Sequence, residues 1–494
     1  TPTPPKPVKP KVKLPSDSLK TQKDSTEKKP SVIGPIIKGV VKTLMMLKTA
    51  TGSYAETNGI LLPGFKGRPD FLGQDWNYSQ GTNAPGVGFI FGSQEDIRPD
   101  AIKYDWITKD TSLNSFYITT KTQALNLRAT LEPTKSFKIE LSATRNLTLS
   151  HNEYYKYTPT EGIFRSYSPT ETGTFSISYL TWNTHFVTDA EDYSNKNFDQ
   201  FVANIKTTSS ILAEENPNNA GTATPAPYAQ GYGQTQQEAL TSAFLSAYTG
   251  KTPTTKQTKK FMDMIPRPNW RVTYDGLSKL KFVQSFLQSL SISHGYRSVY
   301  SVNSFNQNLL YEESNGYPSR LDSSQNFIPQ YDQQQITISE QLSPLIGIDM
   351  TFKNSLQTRF EIKRDRTITL AYSNIQVTEV RGIEYTIGFG YKFKRVTLPF
   401  KIGGKKKLSN DLTVRADFNL RDNTTILRKV IEGTNQPSAG TKTLSVKVSA
   451  DYPVNERFNV RAFYDYSANN PFVSTSYPTS YTNAGIAIRF TLAQ

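Results

Sequence analysis

The chain has three histidines, His151, His185 and His294, and no cysteine, so nucleophilic or metal chemistry would have to be built from these imidazoles with carboxylates and hydroxyls. No G-x-S-x-G elbow surrounds a serine, no H-E-x-x-H pair occurs, and there is no G-x-x-x-x-G-K-[ST] phosphate loop. His294 shares parity with Ile292 and Tyr296, which puts it on a strand face in a structural role. His151, beside Asn152 and Glu153, reads as the end of a strand with loop hydrogen bonding. Asp349, Glu361, Asp417 and Asp465 alternate with apolar residues, so they read as polar groups on one side of a sheet before they read as catalytic pairs. Without cysteine there is no disulfide framework and no thiolate zinc site. The expectation is a chain with no catalytic residue, no metal site and no cofactor.

The elements that carry these residues are written as period-two alternation, clearest from about Gln333 to Gln494. Leu412, Val414, Ala416, Phe418 and Leu420 alternate with Thr413, Arg415, Asp417, Asn419 and Arg421. Ile383, Tyr385, Ile387, Phe389, Tyr391 and Phe393 repeat the pattern, as do Leu444, Val446, Val448 and Ala450, and then Phe458, Val460, Ala462 and Tyr464. A strand sends successive side chains to opposite faces, so each segment has one greasy and one polar face. The segments run roughly 9 to 13 residues, longer than the usual globular strand and matched to a tilted bilayer crossing of about 9 to 11. Short turns are expected at Pro453 to Glu456, Lys363 to Arg366 and Ser343 to Leu345, with longer excursions at the other end. Ile387, Phe389, Val414, Phe418, Val446, Val448 and Val460 are the predicted lipid-facing residues. The alternative is a soluble meander buried on one face.

Composition fits the same class. Of 494 residues 36% are apolar, mean hydropathy is negative, and Tyr and Phe number 27 each. In a barrel, lipid-facing and lumen-facing residues average out over any window, and aromatic rings gather at the interfaces. No run approaches a spanning helix; Val32 to Leu47 is broken by Pro35, Lys38 and Lys42. Net charge is +15, and residues 1–30 hold eight lysines against three acids. No nucleic-acid motif accompanies this charge, so a polar lumen or acidic head groups explain it better. The chain starts with neither Met nor a secretory signal, which suggests a mature or cleaved product or one piece of a longer polypeptide.

In order, residues 1–30 read as a disordered Pro/Lys-rich linker, and Ile36 to Leu44 as a short amphipathic helix leading to a first strand near Thr43 to Glu56. Residues 58–105 read as a long ordered Gly/Pro/aromatic loop. Strands follow at about Ile118 to Leu131, Phe137 to Leu149 and Thr172 to Thr181. Between 182 and 265 alternation gives way to an insertion with helices at Phe198 to Ile205 and Gln236 to Tyr248. It stands outside the membrane or in the lumen, and one crossing near it has no evident place. Strands resume at Trp270 and Leu290. The fold class expected is all-β: a transmembrane antiparallel β-barrel, part of a very large one, with about 15 or 16 strands here and short helices in loops.

Several phrases are similar to a known family: YAETNGILLPGF with DFLG, GFIFGSQEDIR, NWRVTYDGLSKL, LSISHGYRSVYSVNSF, FIPQYD, ITISEQLSPLIGIDMTFKNSLQTRFEIK, ADFNLRDNTTILRKVIEG and NNPFVSTSYPTSYTNAGIAIRFTL. They resemble the C-terminal part of the SprA/Sov family, the outer-membrane translocon of the Bacteroidota type IX secretion system, from about Leu44 to Leu492 apart from the insertion. The resemblance implies a bacterial outer-membrane location and a giant single-chain barrel through which folded cargo proteins cross. It implies as partners an N-terminal barrel chain or the remainder of the same polypeptide, a PorV-type cargo shuttle, a periplasmic plug protein, secreted cargo, and membrane lipids with lipopolysaccharide; no nucleic acid is expected. Gly485, Ile486, Ile488 and Phe490 fit the final strand that barrel assembly machinery recognises, although Thr491 to Gln494 follow the aromatic. A porin or nutrient-uptake barrel is the alternative.

Overall fold

The computed structural model describes residues 46–68, 70–74, 84–219, 227–253, 261–401, 407–455, 457–473 and 476–491. All belong to the second of the chain's two compact units, Met46–Gln494. The expected linker of residues 1–30 and the amphipathic helix of residues 36–44 lie outside the described residues.

The all-β antiparallel class is borne out. One sheet holds thirteen strands: β1 (Leu47–Leu61), β2 (Tyr117–Thr134), β3 (Phe137–Thr158), β4 (Ile163–Ser178), β5 (Asn269–Tyr274), β6 (Leu287–Gln307), β9 (Tyr331–Phe352), β10 (Leu356–Ala371), β11 (Gln376–Lys401), β12 (Lys407–Lys429), β13 (Thr434–Asn455), β14 (Phe458–Val473) and β15 (Thr479–Phe490). Between β6 and β9 the chain forms a separate small hairpin, β7 (Glu313–Ser314) and β8 (Tyr317–Pro318). Neighbours in the sheet are neighbours in sequence, apart from the hairpin and the β4/β5 position described below. Among the described residues β1 pairs only with β2 and β15 only with β14, so the sheet has two free edges.

Two expected turns are corrected. Lys363 to Arg366 lies inside β10, and Ser343 to Leu345 is a bulge inside β9, where Ile362 faces Ile346 but Arg364 faces Leu342. The charges of the first and the proline of the second imitate turns. Pro344 can donate no ladder hydrogen bond, and a bulge accommodates it. Strands are correspondingly longer than expected, 22 residues for β9 and 26 for β11. His151 is likewise not at a strand end but inside β3, which runs on to Thr158. The loop after β1 spans 62–116, and the insertion 179–268.

The missing crossing is one wall strand in two pieces. β4 pairs with the C-terminal part of β3 and with β6, while β5 pairs with Phe137–Ser142 at the start of β3 and with Ile292–Tyr296 of β6. Both run antiparallel to the same two neighbours, so β5 continues the line of β4 after the chain has left it and returned. The gap would strand backbone donors, and two side chains fill it. Ser178 Oγ accepts from Thr144 N at 2.9 Å on one side, and Asn269 Oδ1 accepts from Ser298 N at 2.8 Å on the other. Asn269 Nδ2 donates to Ser178 Oγ at 3.3 Å across the gap.

The long helices of the insertion among the described residues are α1 (Lys196–Glu215) and α2 (Gln237–Thr249). Asn195 caps the first through Asn197 N and Gln236 caps the second through Ala239 N. Gly250, at φ 68°, ends α2 in the left-handed conformation that glycine adopts without strain. Phe198, Phe201 and Ile205 of α1 and Leu240, Phe244 and Tyr248 of α2 are buried in one cluster with the wall residues Phe175, Tyr300, Phe305, Ile338, Ile368 and Val377. Phe305 fits because its neighbour in register is Gly173, where a Cβ would collide with the Phe305 ring.

Candidate functional site

Register places the predicted lipid-facing residues on one face. A row across the wall reads Ile348, Phe360, Ile387, Phe418, Val446, Tyr466, and the next reads Met350, Thr358, Phe389, Ala416, Val448, Tyr464. Tyr391, Val414, Ala450, Ala462 and Ile486 make a third, and Val460 stands beside Ile488. These side chains are uncovered: Phe418 is 41% exposed, Phe389 45% and Ile486 73%. Ile488 and Phe490 of the expected assembly strand lie in β15 on this same face, with Phe490 opposite Phe458, while Gly485 lies on the other face opposite Phe463. From Ile383 to Phe393 the apolar run on β11 covers about 33 Å of strand at roughly 3.3 Å per residue. At a tilt of about 40° that is about 25 Å of height, the height of a lipid-facing band.

The opposite face is charged. One row alternates Asp349, Arg359, Gly388, Asp417, Lys447, Asp465 across six strands. Arg359 Nε donates to Asp349 at 2.9 Å, Lys363 stands 3.3 Å from Glu361, and Arg421 reaches both Asp365 at 3.1 Å and Glu384 at 3.3 Å. Opposite charges set side by side across strands favour this register over its neighbours. The four carboxylates singled out from sequence, Asp349, Glu361, Asp417 and Asp465, all lie here.

Beyond one rim of the apolar band, on the apolar face, lies a buried ionic layer that the sequence reading missed. Glu340, Arg366, Glu379, Arg381 and Arg428 come from four adjacent strands and meet the segment that leads into α1. Arg366 donates to Thr184 O at 2.7 Å, Arg381 to Val187 O at 2.9 Å, and Arg428 to Tyr193 O at 2.6 Å. Arg366 Nε also reaches Glu340 at 2.7 Å, and Arg428 bridges Glu379 at 2.9 Å and Asp189 at 2.6 Å. The arginines thus meet carboxylates on the wall and at Asp189 of the strap as well as the strap's carbonyls, so these buried cations are paired. The clue was parity: Glu340 shares its face with Ile338 and Leu342, Arg366 with Ile368, and Arg428 with Ile426, so charges occupy greasy positions.

His185 belongs to this layer. Its Nδ1 lies 3.2 Å from Glu340, and Thr181 Oγ1 also donates to Glu340. Imidazole, carboxylate and hydroxyl are the parts of a nucleophilic triad, but here the hydroxyl bonds the carboxylate instead of the ring, and His185 and Glu340 side chains are 0% exposed. No substrate reaches them. Burial lowers the His185 pKa from its ordinary value against the opposing pull of Glu340. His151 Nε2 stands 3.6 Å from Glu153, and His294 Nδ1 donates to Leu345 O at 2.7 Å with its ring edge-on to Trp182. Among the described residues no three His, Asp or Glu side chains stand together as a metal site.

The long loop after β1 docks at the same end and on the same face. Its Trp106 and Ile107 pack with Leu62, Tyr117 and Tyr155, and Arg98 forms an ion pair with the buried Glu153 while holding Asp96 at 2.8 Å. That contact keeps the Asp96 carboxyl below the usual range.

Fold and faces together define a β-wall that is apolar on one side and ionic on the other. No family model matches the chain, and no curated protein matches it. Among solved structures, an anion-selective porin from Comamonas acidovorans aligns with 77% of this chain and 94% of its own at 7% identity and a TM-score of 0.11, a likeness too slight to carry an argument. Among the described residues no helix is long and apolar enough to cross a membrane.

Proposed function

We propose that this chain forms part of the wall of a protein-conducting outer-membrane translocon of the type IX kind, in which folded cargo crosses a water-filled lumen. The observation that carries the reading is the unclosed sheet: among the described residues, thirteen strands with an apolar band left uncovered beside the docked insertion and two free edges. Free strand edges are untenable in hydrocarbon, where no water satisfies the backbone, so further strands complete the wall. A wall of more than about a dozen strands encloses an aqueous passage instead of a packed core. The resemblance of its phrases to the SprA/Sov family points to the cargo class.

In this reading the helical insertion stands against the outer wall, beyond the lipid band, because it docks on the apolar face. The lumenal face keeps Arg359 and Arg415 exposed at 62% and 60%. The passage does no chemistry of its own; a shuttle of the PorV type, a plug protein and the cargo are the partners, with lipid and lipopolysaccharide against the apolar rows. A porin would close alone, which the free edges of β1 and β15 disfavour.

The test is genetic. Cells lacking the coding region should retain proteins bearing type IX C-terminal signals, and continued surface display of those proteins would sink the reading. Isolating the native assembly from membranes should recover additional wall strands, from another chain or from the same polypeptide.

A further inference from the structure

The broken strand leaves a hollow on the polar face. A cavity of about 580 Å³ opens where β4 gives way to β5, and Arg128, Glu140, Arg271, Arg297 and Gln341 are among the residues that line it. Gly295, in the floor, sits opposite Arg271 in register and adds no side chain to fill the space.

The three arginines are unlike their neighbours on this face. Arg359, Arg415, Arg421 and Arg461 each pair with a carboxylate. Among the described residues Arg128, Arg271 and Arg297 make no ion pair and no side-chain hydrogen bond, and all three are exposed. Glu140 stands opposite Arg271 in register, but its carboxylate is engaged with Lys138. Three arginines therefore line one concavity with their donors unspent.

We infer that this hollow is a binding site for an oxyanion, a carboxylate or phosphate group, held by the forks of Arg128, Arg271 and Arg297. Planar guanidinium matches both groups with paired N–H donors, and a concave wall strengthens the interaction over that of an open surface charge. The inference does not depend on what crosses the membrane, since it concerns a local site on the ionic face.

The experiment is calorimetric titration of the purified native assembly with inorganic pyrophosphate at low salt. Wild-type protein should bind saturably. Arg271→Gln should weaken binding at least about tenfold, the triple variant R128Q/R271Q/R297Q should abolish it, and R359Q, on the same face but paired, should leave it unchanged. Unaltered heat-dependent gel migration shows that each variant has assembled. Competition by a glutamate-rich peptide assigns the site to acidic stretches of polypeptide, and its failure assigns it to small phosphorylated solutes. Absence of saturable binding in the wild type, or equal binding by an assembled triple variant, overturns the inference. Neither result bears on secretion, which the gene deletion tests separately.

Discussion

Asn269 accepts the backbone N–H of Ser298 at 2.8 Å, standing in for the carbonyl that an unbroken neighbouring strand would have supplied. An amide side chain completes the ladder where the chain departs for some ninety residues. Asn269→Ala should leave that buried donor unmet and cost about 1–3 kcal/mol. Hydrogen exchange at the Ser298 amide should accelerate while the amides of β12 and β13 stay as they were; equal protection at Ser298 would show that the ladder is closed by something else.

Arg428 is fully buried between Glu379 and Asp189. Arg428→Met leaves Glu379 and Asp189 to share the single cation of Arg381, one buried negative charge in excess, and should destabilise the docked insertion by about 3–5 kcal/mol. Protease should then cut near Tyr193 faster. Adding Glu379→Gln to the same chain should recover part of the loss, because the uncompensated charge, and not the missing attraction, is the main cost. No recovery would mean that the contact to Tyr193 O dominates.

Phe418 and Ser445 lie on opposite faces of adjoining strands. If the apolar rows meet lipid, Phe418→Arg or Phe389→Arg near the middle of the band should cost about 2–4 kcal/mol and impair assembly, whereas Ser445→Arg on the ionic face should cost little. Folding assays in bilayers of defined thickness measure this. Equal tolerance of both faces would make the sheet a soluble one.

Much of this was legible in the chain. The alternation of Leu412 to Arg421 fixes both faces of β12, and Phe198 to Ile205 and Gln236 to Tyr248 declare their helices by spacing. What escaped is long-range. Trp270, Val272 and Tyr274 read as a strand, but nothing local says that β5 continues β4, since the hydrogen bond that joins Asn269 to Ser178 spans 91 positions of chain. Charge also misled: Lys363, Arg364, Asp365 and Arg366 look like a turn because no local signal says that α1 and α2 cover part of that strand. Arg366 is buried under a segment 182 positions away in the chain.

The free edge of β15 offers a direct probe. The chain has no cysteine, so one introduced at Ala484 or Ile486 is unique. In the native assembly such a residue should form a disulfide with a cysteine placed on the strand that continues the wall. If no cysteine placed on another strand of the assembly cross-links to it, the wall ends at β15 and the large passage goes with it.

Acid should loosen the insertion. Burial holds His185 below its ordinary pKa near 6.5, so the released segment binds a proton that the docked one does not. The docked state is then fully favoured above about pH 6.5 and loses stability as pH falls below it. Exchange of residues 181–193, corrected for intrinsic rates, should rise between about pH 7.5 and about pH 5. Protection that grows on acidification would reverse the assignment.

Arg366, Arg381 and Arg428 grip Thr184, Val187 and Tyr193 by their main-chain carbonyls, atoms that every residue owns. The strap can therefore exchange its own side chain at Val187 without letting go, so long as Asp189 stays on it and the three cations stay on the wall. An appendage fastened this way is interchangeable: a different outward surface could be carried on the same mooring while the staves beneath it remain untouched.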